Sequence, residues 1–200
     1  TLFGDVCADG PGLVSLDLEV DEKLFKSFLN KHGISENIAF TTAFAYTLSR
    51  FAGSEKVIFN ISENGRDRFN NLDAIGMFVT TLPVLVDCKE QSISSFMDYM
   101  SGLVYDVMKY NYYPFRVLAK EYGIDSSILF QYMPEWIGDE DEIEMDVDVE
   151  SGYDSFVEGM DDLITDLDVN IVQKGHDYSI NILYSGKYSK VMMERFMESY

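Results

Sequence analysis

The stretch KVIFNISENGRDRFNNLDAIGMFVTTLPVLVDC, residues 56–88, decides the fold of this 200-residue chain. Its first seven residues, KVIFNIS, are mostly β-branched or aromatic and too few for a helix, which predicts a core strand. The turn-rich run ENGRDRFNN follows, and residues 75–88 predict a second extended segment that Pro83 interrupts. The centre of the chain is therefore predicted to be a strand, a turn and a second strand.

Helices are predicted on both sides of this stretch. Before it, Ser35 can cap a helix that ends at Gly53, and apolar residues surround that helix on most sides, as in a buried helix. After it, a long helix begins near Ser92 and has apolar residues at spacings of three and four, which predicts one buried face. The members of that face are Ile93, Phe96, Met97, Met100, Leu103, Val104 and Val107. Pro114 breaks the pattern and is predicted in the first turn of the next helix.

The N-terminal part of the chain predicts one more strand and one more helix. Residues 14–20 alternate apolar and polar side chains, as a half-buried strand does. Asp21 can cap the helix that follows, and Gly33 can end it. Its predicted apolar stripe consists of Leu24, Phe25, Phe28 and Leu29.

The C-terminal part predicts three strands and a final helix. SILFQYM, residues 127–133, predicts a strand, and the alternating residues 167–171 and 178–184 predict a hairpin around the loop QKGHD. The last twelve residues predict an amphipathic helix. Strands interleaved with long helices indicate an α/β fold, specifically a two-layer sandwich of a mixed β-sheet with packed helices.

Charge and composition exclude several classes of function. A formal net charge of −20 would repel a phosphate backbone, so we expect no nucleic-acid partner. No stretch approaches the ~20 apolar residues that a bilayer span needs, so we expect no membrane association. Cys7 and Cys88 do not stand in a metal-binding or disulfide pattern. We therefore expect a reduced, cytoplasmic setting.

The sequence contains few groups with a catalytic pattern. A Gly-rich phosphate loop, a GxSxG elbow and an HExxH motif are all missing from the 200 residues. The two histidines, His32 in a predicted helical turn and His176 in a hairpin loop, are expected to be structural or exposed. The acidic run at residues 146–157 lacks the glycine and final glutamate of a calcium loop, so no metal is expected. The tyrosines of residues 110–115 could stack on a ligand or form the rim of a core.

Four segments, in order, resemble the C-terminal lobe of nonribosomal peptide synthetase condensation domains. NGRDR at residues 64–68 resembles the family's turn after a core strand, and AIGMFVTTLP at residues 74–83 resembles its G-x-F-V-N-T-x-P motif. YNYYPF at residues 110–115 resembles H-Q-D-Y-P-F-E, and DSSILFQYM at residues 125–133 resembles R-D-x-S-x-x-P-L-F-Q-V-M. The closing hairpin is also similar. The sequence departs from the second motif at Thr80, where the family has Asn.

The resemblance implies a half-domain of chloramphenicol acetyltransferase-like fold. Residues 1–13 would be a linker remnant and residues 14–200 the C-terminal lobe, with an acidic crossover-like segment at residues 138–162 and a cut at both ends. The complete domain would join an acceptor aminoacyl amine to a donor acyl or peptidyl thioester. Both substrates would arrive on 4'-phosphopantetheine arms of carrier proteins, with no cofactor bound directly. Carrier domains, an adjacent adenylation domain and the N-terminal lobe would be the partners.

The resemblance also implies where the site residues are. The family's catalytic histidine belongs to an H-H-x-x-x-D-G motif of the N-terminal lobe, and this chain contains no such motif. No catalytic residue is therefore expected here. The candidates for supporting or lining the reaction tunnel are Arg66, Gly76, Phe78, Thr80 and Gln131.

Two other functions fit the same residues. One is a sister domain that performs epimerisation, heterocyclisation or ester formation, and the other is a non-catalytic module that binds carrier proteins. The upstream lobe would separate them, because heterocyclisation domains have D-x-x-x-x-D in place of the histidine pair. Degenerate histidines there would favour the docking module.

Arg66 provides a test of the lobe assignment. The resemblance implies that it pairs with the Asp of the H-H-x-x-x-D-G motif across the lobe interface, a role that suits an arginine because a guanidinium holds a carboxylate bidentately. In the complete domain, Arg66→Ala should then cost ~3–5 kcal/mol of unfolding free energy, since it leaves a buried carboxylate unpaired. In the isolated chain the cost should be about 0.5 kcal/mol or less. Equal small losses in both proteins, measured by urea denaturation, would make Arg66 an ordinary surface residue.

Overall fold

A computed structural model describes residues 10–65, 75–76, 78–89, 91–124, 127–134 and 165–200. These residues form six strands and five helices. The strands are β1 (Gly12–Leu18), β2 (Lys56–Glu63), β3 (Thr80–Asp87), β4 (Ile128–Met133), β5 (Leu167–Lys174) and β6 (Asp177–Tyr184). The helices are α1 (Glu22–His32), α2 (Glu36–Ala52), α3 (Ile93–Lys109), α4 (Phe115–Tyr122) and α5 (Lys190–Ser199).

The strands form one mixed sheet in the order β1-β6-β5-β4-β2-β3. β4 lies between β2 and β5 and is parallel to both, whereas the remaining neighbours are antiparallel. Pro83 lies in β3, an edge strand, where a residue without a backbone N–H is tolerated. The predicted class, an α/β sandwich of a mixed sheet with packed helices, is confirmed.

The predicted helix ends are largely confirmed, because they depend on local chemistry. Asp21, Ser35 and Ser92 each accept a hydrogen bond from a backbone N–H of the first helical turn. Pro114 is the residue that precedes α4, rather than part of its first turn. Its carbonyl accepts from the N–H of Val117 at 3.0 Å, which is the role of a cap residue.

Two predicted core residues are wrong. Leu24 of α1 is 70% exposed and Ile93 of α3 is 71% exposed. α1 fully buries only Leu29, and Ile93 lies in the first turn of α3, before the turn that contributes Phe96 to the core. Periodicity identifies the apolar side of a helix, but its rotation against the neighbouring elements decides which residues are covered, and in α1 it is Phe25, not Leu24, that packs against Tyr178 of β6.

The core lies between one face of the sheet and α2, α3 and α5. Phe44 of α2 is completely buried at its centre. Its ring centroid lies 5.0 Å from that of Phe59 on β2, 4.9 Å from that of Phe130 on β4 and 6.1 Å from that of Phe196 on α5. We call this side of the sheet the helix-covered face.

None of the described helices is long and apolar enough to cross a membrane.

The opposite face of the sheet, called here the second face, carries a row of polar side chains. Ser62 donates to Oε1 of Gln131 at 3.0 Å, and Nε2 of Gln131 donates to Oδ1 of Asp168 at 3.3 Å. Asn170 donates to the same oxygen at 3.1 Å. These four residues, the Asp168 row, link β2, β4 and β5. Burial raises the pKa of Asp168, although the hydrogen bonds from Gln131 and Asn170 oppose that effect.

Phe44→Ala tests the packing. Removing a fully buried phenyl ring from the centre of the core should lower the unfolding free energy by ~3–5 kcal/mol. The matched control is Leu24→Ala on the exposed side of α1, which should change it by about 0.5 kcal/mol or less. Urea denaturation followed by far-UV circular dichroism measures both. A comparable loss in the two variants would contradict the described core.

Asp168→Asn tests the second face. A carboxyl whose folded pKa lies above its unfolded value stabilises the fold fully only below the unfolded pKa, and this stabilisation is lost as the pH rises through the folded pKa. Asn keeps an acceptor oxygen and cannot ionise, so the variant should gain stability relative to the wild type as the pH rises from acid to neutral.

Asp17→Asn is the control of opposite sign. A hydrogen bond from Lys174 is the main cause of the lowered pKa of Asp17. That carboxylate contributes stability above its unfolded pKa, so its loss should matter more at neutral than at acid pH. Urea midpoints across pH 3–7 compare the variants, and parallel curves for Asp168→Asn and the wild type would contradict the effect of burial.

Candidate functional site

The candidate residues near the start of β3 lie close to the end of β2. Gly65 follows β2 with φ of 72°, and a Cβ there would clash with the carbonyl oxygen of Phe78. A Cβ at Gly76 would lie 3.3 Å from Cε2 of the same Phe78 ring. Both glycines therefore permit close packing against Phe78. Arg66 lies outside the residues that the structure describes.

Thr80, the first residue of β3, takes part in a polar cluster on the helix-covered face. It pairs directly with Glu63, the last residue of β2. Its Oγ1 donates to Oε2 of Glu63 at 3.2 Å, and Nδ2 of Asn111 donates to the same oxygen at 3.0 Å. Asn111 lies in the turn after α3. These three residues are called the Glu63 cluster.

Gln131 lies on the other side of the sheet from Thr80. Successive strand residues point to opposite faces, and Ser62 bonds to Gln131 whereas Glu63 bonds to Thr80. The described candidates therefore form two groups rather than one. Gly76, Phe78 and Thr80 lie near Gly65 and Glu63, whereas Gln131 belongs to the Asp168 row.

Sequence analysis missed Glu63 and Asn111. Asn111 is the second residue of YNYYPF, a run for which a role was considered only for the tyrosines. Tyr110 and Tyr112 are 62% and 54% exposed, so neither ring is buried in the core. A polar residue between exposed aromatics was the one available signal that Asn111 turns inwards.

The remaining reactive groups do not form a catalytic constellation in the part of the chain that the structure describes. The His32 ring packs against Phe28, with centroids 4.8 Å apart, and Nδ1 of the largely exposed His176 lies 3.3 Å from a carboxylate oxygen of Glu22. Burial raises the pKa of Cys88, which disfavours the nucleophilic thiolate. Among the described residues, no group of His, Cys, Asp or Glu side chains could hold a metal ion.

A cavity of about 600 Å³ lies apart from both polar groups. Residues of α2, the N-terminal part of α3 and the end of β3 line it, among them Tyr46, Arg50, Cys88 and Phe96. None of the described candidate residues borders this cavity. It does not contribute to the site that those residues form.

Comparisons with known proteins agree with the architecture. The chain is 30% identical over 105 residues to a linear gramicidin synthase of Brevibacillus parabrevis, which is 50% of this chain and 2% of that protein. The chain spans less than half the length of each of the two solved structures compared below. The first condensation domain of the calcium-dependent antibiotic synthetase, in complex with a substrate analogue, has a TM-score of 0.71 at 18% identity, covering 100% of this chain and 45% of that one.

A domain with another activity is similar to the same degree. The epimerization domain from the third module of tyrocidine synthetase B has a TM-score of 0.70 at 15% identity, over 96% of this chain and 46% of that one. Identities this low show a shared fold only. The sequence model of the Condensation domain family matches residues 12–200, and the chain therefore belongs to the condensation-domain family.

Proposed function

We propose that this chain is the C-terminal lobe of a nonribosomal peptide synthetase condensation domain. The observation that carries the proposal is the family match over residues 12–200, which includes all four motif segments. The similarity to a linear gramicidin synthase supports a peptide synthetase as the parent protein. In the complete domain, this lobe would form one wall of a tunnel that opens to a donor and an acceptor carrier protein.

The reaction in that tunnel would be aminolysis of a thioester. The acceptor nitrogen bonds to the thioester carbonyl carbon, the C–S bond breaks, and the proton lost by the amine is taken up by the released thiolate, which becomes a thiol. Holding two tethered reactants in line can lower such a barrier by ~7–11 kcal/mol. A general base adds a smaller factor. The wall residues of this chain would help to hold the reactants in line rather than act as the general base, because the H-H-x-x-x-D-G motif is absent from its sequence.

The two polar groups lie on opposite faces of the sheet, so their proposed contributions differ. Thr80 and Phe78 are proposed to line the tunnel beside the end of β2, because Gly65 packs against the carbonyl of Phe78. Gln131 would present its side chain on the second face, where Ser62 and Asp168 fix both ends of its amide. A side chain held at both ends has a defined orientation, as a positioning wall requires.

Epimerisation is the second candidate function. The epimerization domain of tyrocidine synthetase B resembles this chain with a TM-score of 0.70, against 0.71 for the condensation domain above. The architecture of this half therefore does not separate the two reactions. They differ in chemistry, since epimerisation exchanges the α-hydrogen of a carrier-bound residue and forms no new C–N bond.

An assay with loaded carrier proteins tests both candidates. The complete domain should convert a donor acyl-carrier and an acceptor aminoacyl-carrier into an amide-linked product, detected by mass spectrometry of the carrier. The isolated chain should give no product above a control without protein. Turnover by the isolated chain would overturn the half-tunnel assignment. In deuterated water, α-deuterium incorporation without amide product would instead identify an epimerase.

A further inference from the structure

The carboxylate of Glu63 joins three segments that are distant in sequence. Its Oε2 accepts hydrogen bonds from Thr80 at the start of β3, at 3.2 Å, and from Asn111 in the turn after α3, at 3.0 Å. Glu63 itself is the last residue of β2. The sequence separations are 17 and 48 residues, so neither contact is local. One oxygen atom therefore fixes the relative position of two strand ends and the end of a helix.

The backbone next to this cluster has little freedom. Gly65, two residues after Glu63, is buried, and its α-carbon packs against the carbonyl of Phe78. Phe78 lies two residues before Thr80. The hydrogen bonds of Glu63 and the Gly65–Phe78 contact thus hold the same two chain segments from adjacent points. A shift of Thr80 would require both to give way.

The hydrogen bond also determines what Thr80 can offer to a ligand. A hydroxyl has one hydrogen and two lone pairs, and the hydrogen of Thr80 is directed at Glu63. Thr80 is then left with acceptor capacity only. The Asn of the motif that this segment resembles carries both a donor and an acceptor. Thr80 in this chain depends on Glu63 for its orientation.

We propose that Glu63 is a positioning residue, which sets the geometry of Thr80 and of the backbone at Gly65 for the reaction in the tunnel. This inference rests on the proposed function. The proposed role of Glu63 is positioning rather than catalysis, since its Oε2 is engaged by neutral donors of the protein itself. A negative charge on Glu63 is not required, because both donors bond to a single oxygen atom and the oxygen of an amide side chain can accept both hydrogen bonds. The role therefore belongs to the geometry of the acceptor rather than to its ionisation.

The experiment compares variants of the complete condensation domain that contains this chain. Glu63→Ala removes the acceptor, whereas Glu63→Gln keeps an oxygen at the same distance. Glu121→Ala, on the exposed side of α4, is the matched control. Amide formation from loaded donor and acceptor carriers gives kcat and KM. Hydrogen-exchange mass spectrometry of peptides covering residues 60–65 and 78–82 reports on the segments without depending on activity.

Glu63→Ala should lower kcat by ~10-fold to 100-fold, the effect of misplacing reactants by about 1 Å, and should speed exchange in both peptides. Glu63→Gln should remain within about threefold of the wild type, because the shared acceptor is retained. Glu121→Ala should match the wild type in both measurements. Loss of kcat to the same extent in Glu63→Gln, or no loss in Glu63→Ala, would overturn the inference.

A double variant separates positioning from a general loss of stability. If Glu63 acts through Thr80, Glu63→Ala combined with Thr80→Val should lower kcat no further than Glu63→Ala alone, whereas independent effects would add. Additive losses overturn the proposal. Asn111→Ala serves if Glu63→Ala does not fold, and it should show a smaller change in the same direction. An Asn111→Ala variant identical to the wild type in kcat and exchange also overturns it.

The failure of the proposed function gives a different result. An unsubstituted domain that forms no amide from loaded carriers would refute the condensation activity. The exchange measurement would still decide whether Glu63 holds the two segments. Unchanged exchange in Glu63→Ala would then overturn the inference on its own.

Discussion

The alternation of side chains along β2 constrains the rest of the structure. β2 is an inner strand, hydrogen-bonded to β3 on one side and to β4 on the other. Val57, Phe59 and Ile61 point into the core, where Phe59 meets the central Phe44. The next two residues, Ser62 and Glu63, are then obliged to point to opposite faces. This one step of the strand generates two separate polar groups, the Asp168 row and the Glu63 cluster.

The two faces of the sheet stabilise the fold in different ways. The helix-covered face is aromatic and aliphatic, and its burial supplies the hydrophobic free energy. The second face buries amides, including Asn60, Asn170 and Asn181. Buried amides contribute little net stability and are costly when unpaired. Asn60 donates to the carbonyl of Ile128 at 3.1 Å, although its Oδ1 is buried without a partner among the described residues, and Asn181 accepts from Ser15 at 2.9 Å. Specific hydrogen bonds therefore help to define the second face.

Local chemistry made part of this structure predictable. The caps at Asp21, Ser35 and Ser92 follow from side chains that satisfy the nearest backbone N–H groups, and the β5–β6 hairpin follows from alternation around a short loop. The exposure of Leu24 was not predictable, because it depends on how α1 is turned against its neighbours, and the adjacent Phe25 is the residue that packs against Phe40 and Tyr178. Neither was the Glu63 cluster, whose members come from three segments that only the sheet order and the end of α3 bring together. Periodicity carries no information about such non-local polar pairs.

In the proposed function, a lobe without a catalytic histidine would still control the rate of a reaction between tethered substrates. Most of the available acceleration comes from alignment, which demands that wall residues keep their positions within a fraction of an ångström. Strand ends meet this demand better than free loops, because ladder hydrogen bonds fix their backbone. Thr80 and Gln131 both lie in strands, and each is held by a carboxylate, Glu63 or Asp168, whose donors are neutral. The same scaffold would serve amide formation or epimerisation, since both require a carrier-bound substrate to be held in place while groups from the other lobe act on it.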